Sequence, residues 1–147
     1  VTPRHVVGVL LALCVAGAVY ALWPKEKISP EEEIRRLVAK TVAAAEKRDA
    51  AEVVEALELR FKGPGGANRD EVKRLLIGQF FQARQIVVLN PSLEVTVPPN
   101  DPRTGHFKGT FVFARDGSAV DASKYEIEAD LVRGDDGWKL LSASWNR

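Results

Sequence analysis

The chain has 147 residues, 46% of them apolar, which is about one domain with enough apolar side chains to bury a core. Its 21 Lys and Arg face 20 Asp and Glu; without Arg4, which precedes an apolar segment, the balance is zero, so the excess positive charge used to bind a phosphate backbone is missing and no nucleic-acid partner is expected. The one cysteine, Cys14, lies inside that apolar segment, which excludes a disulfide or a thiolate metal site from the remainder.

From Val6 to Trp23 the chain carries no charge. As a helix this run would be about 27 Å long, close to the ~30 Å of a bilayer's hydrocarbon core. Tyr20 and Trp23 sit where aromatic rings favour the headgroup level, and Pro24, Lys25 and Lys27 end the run. Residues 1–23 therefore read as a single-pass membrane anchor and residues 24–29 as a tether. The competing reading is a cleaved signal peptide with Ala16 and Ala18, or Val19 and Ala21, at its processing site. The anchor is preferred because the run exceeds the roughly 7–15 residues of a signal core. A lipoprotein signal at Leu11-Ala12-Leu13-Cys14 fits less well, since Leu13 is large and apolar residues continue beyond the cysteine. With no methionine present, Val1 reads as an alternative initiator or a product of trimming. Counting flanking charges would keep the domain inside, whereas a short basic tail before one apolar helix is the form of a signal anchor that exports it. The expected location is the membrane, with the domain on the periplasmic side.

Ser29 and Pro30 supply an N-cap and a first-turn proline, and Glu31, Glu32 and Glu33 complement the helix dipole. The helix they open places Ile34, Leu37, Val38, Val42 and Ala45, with Thr41, on one face. Asp49 with Glu52 caps a second, shorter helix with Val53, Val54, Leu57 and Phe61 on one face. Gly63-Pro64-Gly65-Gly66 breaks the chain as a flexible connector. A third helix, from about Arg69 to Arg84, is expected to bury Val72, Leu75, Leu76 and Phe80, with Ile77 and Phe81 widening the stripe.

From Ile86 the apolar period falls to two. Leu93, Val95 and Val97 alternate with Glu94 and Thr96; Phe107, Gly109, Phe111 and Phe113 with Lys108, Thr110 and Val112; Tyr125, Ile127, Ala129 and Leu131 with Glu126, Glu128 and Asp130. A last strand, Trp138 to Trp145, is apolar in both phases and suits a central or doubly covered position. Turn residues at Asp101-Pro102, Asp116-Gly117 and Gly134-Asp135-Asp136-Gly137 separate these strands by hairpin-length gaps. Helices followed by an antiparallel meander make an α+β domain over residues 30–147.

Three stretches carry a family resemblance: Ala43-Ala44-Ala45-Glu46-Lys47-Arg48-Asp49-Ala50, where one helix stops and another starts at an Asp cap; Asp70 to Arg84 feeding Ile86 to Val88; and Tyr125 to Arg133 followed by Asp136-Gly137-Trp138-Lys139-Leu140 and Ser142-Ala143-Ser144-Trp145, a closing hairpin. In these the chain resembles the nuclear transport factor 2-like, or SnoaL-like, superfamily. The resemblance implies N-terminal helices packed on a curved antiparallel sheet, a cystatin-like cone. It is a poor guide to function, because the superfamily includes isomerases, dehydratases, cyclases, transport adaptors and noncatalytic accessory domains.

Enzymes of that kind hold an Asp or His inside the cone, with a Tyr or acid polarising a carbonyl. Here the cone would be lined by Phe80, Phe107, Phe111, Tyr125 and Ile127, and of these only Tyr125 has a polar tip. Tyr125 reads as a core residue with one hydroxyl partner rather than a catalytic acid. Glu126, Glu128 and Asp130 fall in the opposite phase, as a solvated sheet face. His106 reads as an exposed histidine, since a metal site there would have carboxylates alone to complete it. The Gly-Pro-Gly-Gly run lacks the Gly-Lys-Ser/Thr of a phosphate loop, and Arg133-Gly134-Asp135 is turn chemistry that spells an adhesion tripeptide by chance. Arg60, Lys62, Arg69, Lys73 and Arg74 form the one local charge concentration, either a solvated face or a site for an anionic lipid or protein partner.

No cofactor, metal or catalytic residue is expected. The leading function is a noncatalytic, membrane-anchored accessory or binding domain for a hydrophobic ligand, a protein partner or a second copy. The alternative is a small isomerase- or dehydratase-type enzyme that pairs Tyr125 with Gln79, Gln82, Asp121 or Ser142.

Overall fold

A computed structural model describes the backbone of residues 3–22, 27–116 and 122–147, and the side chains of 8–21, 27–116 and 122–147. Helix α1 (Pro3–Leu22) exposes its described side chains. Among the described residues no helix is long and apolar enough to cross a membrane, and the expected span from Val6 to Trp23 lies partly outside them.

Helix α2 (Pro30–Glu46) starts where its caps predict: the Ser29 hydroxyl accepts the Glu32 N–H at 3.2 Å, and Ile34, Val38 and Ala44 are buried. Arg48, in the left-handed region at φ 57°, turns the chain, and the Asp49 carboxylate accepts the Glu52 N–H at 3.1 Å to open α3 (Ala50–Glu55). This helix is shorter than the sequence suggests. Leu57 and Phe61 lie on a strand instead, β1 (Leu57–Lys62), where both are buried. The strict alternation Leu-Glu-Leu-Arg-Phe-Lys fits period two as well as the helical spacing of Val53, Val54, Leu57 and Phe61, and pairing with a distant strand decides between them.

Gly63 to Ala67 is an ordered turn rather than a loose connector. The Gly63 N–H donates to Ala67 O at 2.8 Å, and Gly65 and Gly66 occupy positive φ. Helix α4 (Arg69–Gln82) is capped by the Asn68 side-chain oxygen Oδ1, which accepts the Glu71 N–H at 2.9 Å. Its Val72 and Leu76 pack against Val54, Leu57 and Phe61, and Phe80 enters the main core. The stripe is narrower than expected: Leu75, Ile77 and Phe81 are exposed, at 62%, 51% and 90%.

The sheet comprises β1, β2 (Ile86–Thr96), β3 (Thr104–Arg115), β4 (Ser123–Gly134) and β5 (Gly137–Asn146), in the order β1-β5-β4-β3-β2. It is mixed rather than wholly antiparallel, since β1 runs parallel to β5 while the other three pairs are antiparallel. Strand β5 is interior to the sheet, but its apolar residues do not divide between two faces: the pairing shifts between Asp130 and Leu131, so Trp138, Leu140, Ala143 and Trp145 stand opposite Arg133, Leu131, Ala129 and Ile127 on one face. Strand β2 is one long strand with an irregularity between Leu89 and Ser92. Pro91 has no N–H to give the ladder, and the Asn90 side-chain amide substitutes by donating to Ser92 O and Thr110 O, both at 2.8 Å.

Asp116 ties the end of β3 to the α4–β2 junction: its carboxylate accepts the N–H groups of Arg84 at 2.7 Å and Gln85 at 3.1 Å. Those two hydrogen bonds hold its carboxyl below the ordinary 3.8. The Asp116-Gly117 turn extends beyond the described residues.

Candidate functional site

The inward face of the sheet can be read from its register. Gly105, Phe107, Gly109 and Phe111 of β3 stand opposite Leu131, Ala129, Ile127 and Tyr125 of β4, and Phe113 lies opposite both Ser123 and Val88. Residues opposite one another share a face. At one end this face is sealed. Ile34 and Leu131 are almost wholly inaccessible, and Phe80, Phe107, Phe111, Ala129 and Trp138 belong to the same buried cluster. Two glycines make room: a methyl group on Gly105 would lie 2.7 Å from Ile34 Cδ1 and 3.3 Å from the Trp138 ring, and one on Gly109 would lie 2.9 Å from the Phe111 ring.

Towards the other end burial falls off along an aromatic row. Phe107 and Phe111 have ring centres 6.5 Å apart, Phe111 and Phe113 stack at 6.5 Å, and Phe113 meets Tyr125 edge-on at 5.7 Å. Phe113, Tyr125 and Ile127 are half-buried there, and Trp145, opposite Ile127, is 39% exposed. The five residues expected to line a pocket thus divide. Phe80, Phe107 and Phe111 are core, and Tyr125 and Ile127 flank the open end. No partner for the Tyr125 hydroxyl is found among the described residues.

On the outward face each acid of β4 meets a polar residue directly across on β3. The Thr110 hydroxyl donates to the Glu126 carboxylate at 2.9 Å, Lys108 pairs with Glu128 at 3.6 Å, and His106 Nδ1 lies 2.9 Å from Asp130. Ser142 donates to the other Asp130 oxygen at 3.2 Å. His106 therefore sits within a strand, paired and partly exposed. Ser142, Asp130 and His106 do not form a nucleophilic relay, because the hydroxyl is bonded to the carboxylate and not to the imidazole. The polar candidates for an enzyme disperse: Ser142 faces outward, Gln79 and Gln82 are exposed on α4, and Asp121 lies outside the described residues.

A groove of about 280 Å³ between α2 and the β4–β5 turn is lined by Glu33, Arg36, Leu37, Lys40, Asp136 and Trp138. Glu33 accepts the Trp138 indole N–H at 2.9 Å and pairs with Arg133 at 3.5 Å. Glu33 thus does more than complement the helix dipole. Its place immediately before the fully buried Ile34 is the signal that it also reaches the core's edge.

No family model and no curated relative matches the sequence. Solved structures share the fold. A nuclear transport factor 2-like protein with a cystatin-like fold from Novosphingobium aromaticivorans aligns with a TM-score of 0.65 at 18% identity, over 89% of this chain and 86% of its own. A protein of the same organism, provisionally described as a scytalone dehydratase, gives 0.66 at 15% identity, over 78% and 80%. Bdellovibrio bacteriovorus Bd1075 gives 0.67 at 15% identity over 78% of this chain, which spans only 40% of that longer one. The helices and the five-stranded mixed sheet of this chain thus have the cystatin-like fold of nuclear transport factor 2-like proteins.

Proposed function

We propose that the chain is a noncatalytic, membrane-anchored binding domain whose concave sheet face takes an apolar ligand, or an apolar segment of a partner, at the end flanked by Phe113, Tyr125 and Ile127. One observation carries the reading. The inward positions in the middle of β3 and β4 are Phe107, Gly109, Phe111, Phe113, Tyr125, Ile127, Ala129 and Leu131, with no carboxylate, imidazole or cation among them; Arg115 and Arg133, in the same phase, stand at the strand ends, and Arg133 is paired with Glu33. Proton transfer to or from a substrate needs a group of suitable pKa within hydrogen-bond reach, and a lone phenol leaves that chemistry without its second partner. A half-buried aromatic rim beside a sealed core instead suits an apolar guest. The uncharged run Val6 to Trp23 supports placing the domain at a membrane, on its periplasmic side.

The test is a titration of the full chain with the neutral apolar fluorophore N-phenyl-1-naphthylamine, with thermal unfolding as the folding control for each variant. Fluorescence enhancement is expected, lost in Ile127→Lys and kept in Tyr125→Phe. Enhancement that Ile127→Lys leaves intact would place binding elsewhere and defeat the reading of the concave face. The intact chain is expected to fractionate with membranes, and its recovery in a soluble fraction would defeat the anchor.

A further inference from the structure

Helix α4 is apolar on the side away from the core as well as towards it. Val72, Leu76 and Phe80 point inward, while Leu75, Ile77 and Phe81 are exposed. In α4 the residues 74, 77, 78 and 81 follow the i, i+3, i+4, i+7 spacing, so Arg74, Ile77, Gly78 and Phe81 share one stripe, with Leu75 beside it. Past the first turn of α4, which carries Asp70 and Glu71, the charge around this stripe has one sign. Between Glu71 and Glu94 the sequence contains no acid, while it contains Lys73, Arg74 and Arg84. Strand β1, on which α4 packs, adds an exposed Leu59 and Lys62. Two members of the basic cluster read from the sequence are otherwise engaged: Arg69 donates to Val54 O at 3.1 Å, and Arg60 pairs with Glu58 at 3.7 Å. Among the described residues no carboxylate lies within ion-pair distance of Lys62, Lys73, Arg74 or Arg84.

We propose that the outer face of α4, formed by Arg74, Leu75, Ile77 and Phe81 with Lys73 at its margin, docks on an anionic lipid surface, so that the domain lies against the bilayer rather than hanging from its tether. Large apolar side chains interleaved with unpaired cations are the chemistry of a helix lying at a lipid headgroup layer, where the rings enter the acyl boundary and the cations meet phosphates. A second copy is the poorer occupant. Beyond the first turn the segment from 72 to 93 has cations and no acid, so only Asp70 and Glu71 could meet the Lys73 and Arg74 of a copy. The proposal rests on the anchored reading for proximity: six residues, 24–29, separate Trp23 from α2, a reach of roughly 20 Å at full extension, which holds α4 at high effective concentration near the lipid.

Two single-cysteine versions of the full chain separate this proposal from the reading beneath it. Cys14, the native cysteine within α1, takes an environment-sensitive fluorophore that reports insertion of the anchor. Gly78→Cys in a Cys14→Ser background takes the same fluorophore on the α4 stripe, where a side chain at 78 meets nothing within 4 Å. Each is reconstituted in phosphatidylcholine vesicles with and without phosphatidylglycerol. The label at 78 is expected to move to a lipid-like environment only when phosphatidylglycerol is present. It should return towards water at high salt, in Lys73→Glu with Arg74→Glu, or in Phe81→Ser. The label at 14 should be lipid-buried throughout.

A label at 78 that stays in water on phosphatidylglycerol vesicles, while Cys14 is buried, overturns the docking proposal and leaves the anchor standing. A Cys14 label in water overturns the anchor, and the label at 78 then still decides docking by itself. A shift at 78 that follows protein concentration instead of lipid composition assigns the stripe to a second copy and overturns the proposal.

Discussion

The two faces of the β3–β4 pair are built from the same strands and differ only in phase, yet they do different work. The inner face carries Phe107, Phe111, Ala129 and Leu131, each at most 5% exposed, and the outer face carries ion pairs and hydrogen bonds whose members remain in contact with water. Apolar burial returns about 25 cal/mol per Å², whereas an exposed ion pair is worth about 0–1 kcal/mol. The inner face therefore supplies stability, while the outer one supplies register and solubility. Like charges directly across would be costly, and the pairs Thr110 with Glu126, Lys108 with Glu128 and His106 with Asp130 avoid them.

Substitutions that exchange the weight of the two faces test this contrast. Trp138→Ala should be the most damaging, because it empties most of a side chain that is 6% exposed and strips Glu33 of the indole N–H it accepts. A loss of about 3–5 kcal/mol in denaturant melts is expected, against the roughly 5–15 kcal/mol of an ordinary domain. Gly105→Ala adds a single methyl on the same side, 2.7 Å from Ile34 Cδ1. Ile34 is fully buried and has no free space to yield into, so about 1–3 kcal/mol should be lost. Glu128→Ala, on the outer face, breaks one exposed pair and should cost under about 0.5 kcal/mol. If the melts rank Glu128→Ala with Trp138→Ala, the phase is inverted and the acidic row is a buried functional site.

Much of this arrangement is legible in the sequence because local chemistry and tertiary packing agree. Ser29 and Asp49 stop and start helices where their side chains can accept N–H groups, and the alternation from Phe107 to Leu131 fixes which side chains face in. The failures occur where one local pattern fits two structures. Leu57 to Phe61 satisfies helical and strand spacing together, and only the pairing of β1 with β5, far along the chain, selects the strand. Leu75, Ile77 and Phe81 look like core because sequence hydrophobicity does not say how many partners surround a helix, and α4 has too few to cover them. For the candidate site, the apolar run of inward residues from Phe107 to Phe113 and from Tyr125 to Leu131 could be read in advance. The split of the five lining residues into a sealed and an open end could not, since it depends on how far α2 and α4 extend over the sheet.

The partnership of β1 with β5 also bears on how the chain reaches this fold. Leu140 N–H donates to Ala56 O at 2.8 Å, and Lys139 reaches Glu55 O across 84 positions of sequence. Such a contact closes a long loop before it returns any free energy, so its formation belongs to the late part of folding. During synthesis β1 emerges early and waits with a bare hydrogen-bonding edge until the final hairpin arrives, which makes it the segment most open to mispairing with another chain. Release of the chain at Gly134 should leave that edge unpaired, and pulse-labelled hydrogen exchange during refolding should show β1 amides gaining protection together with those of β5, after the β3–β4 pair.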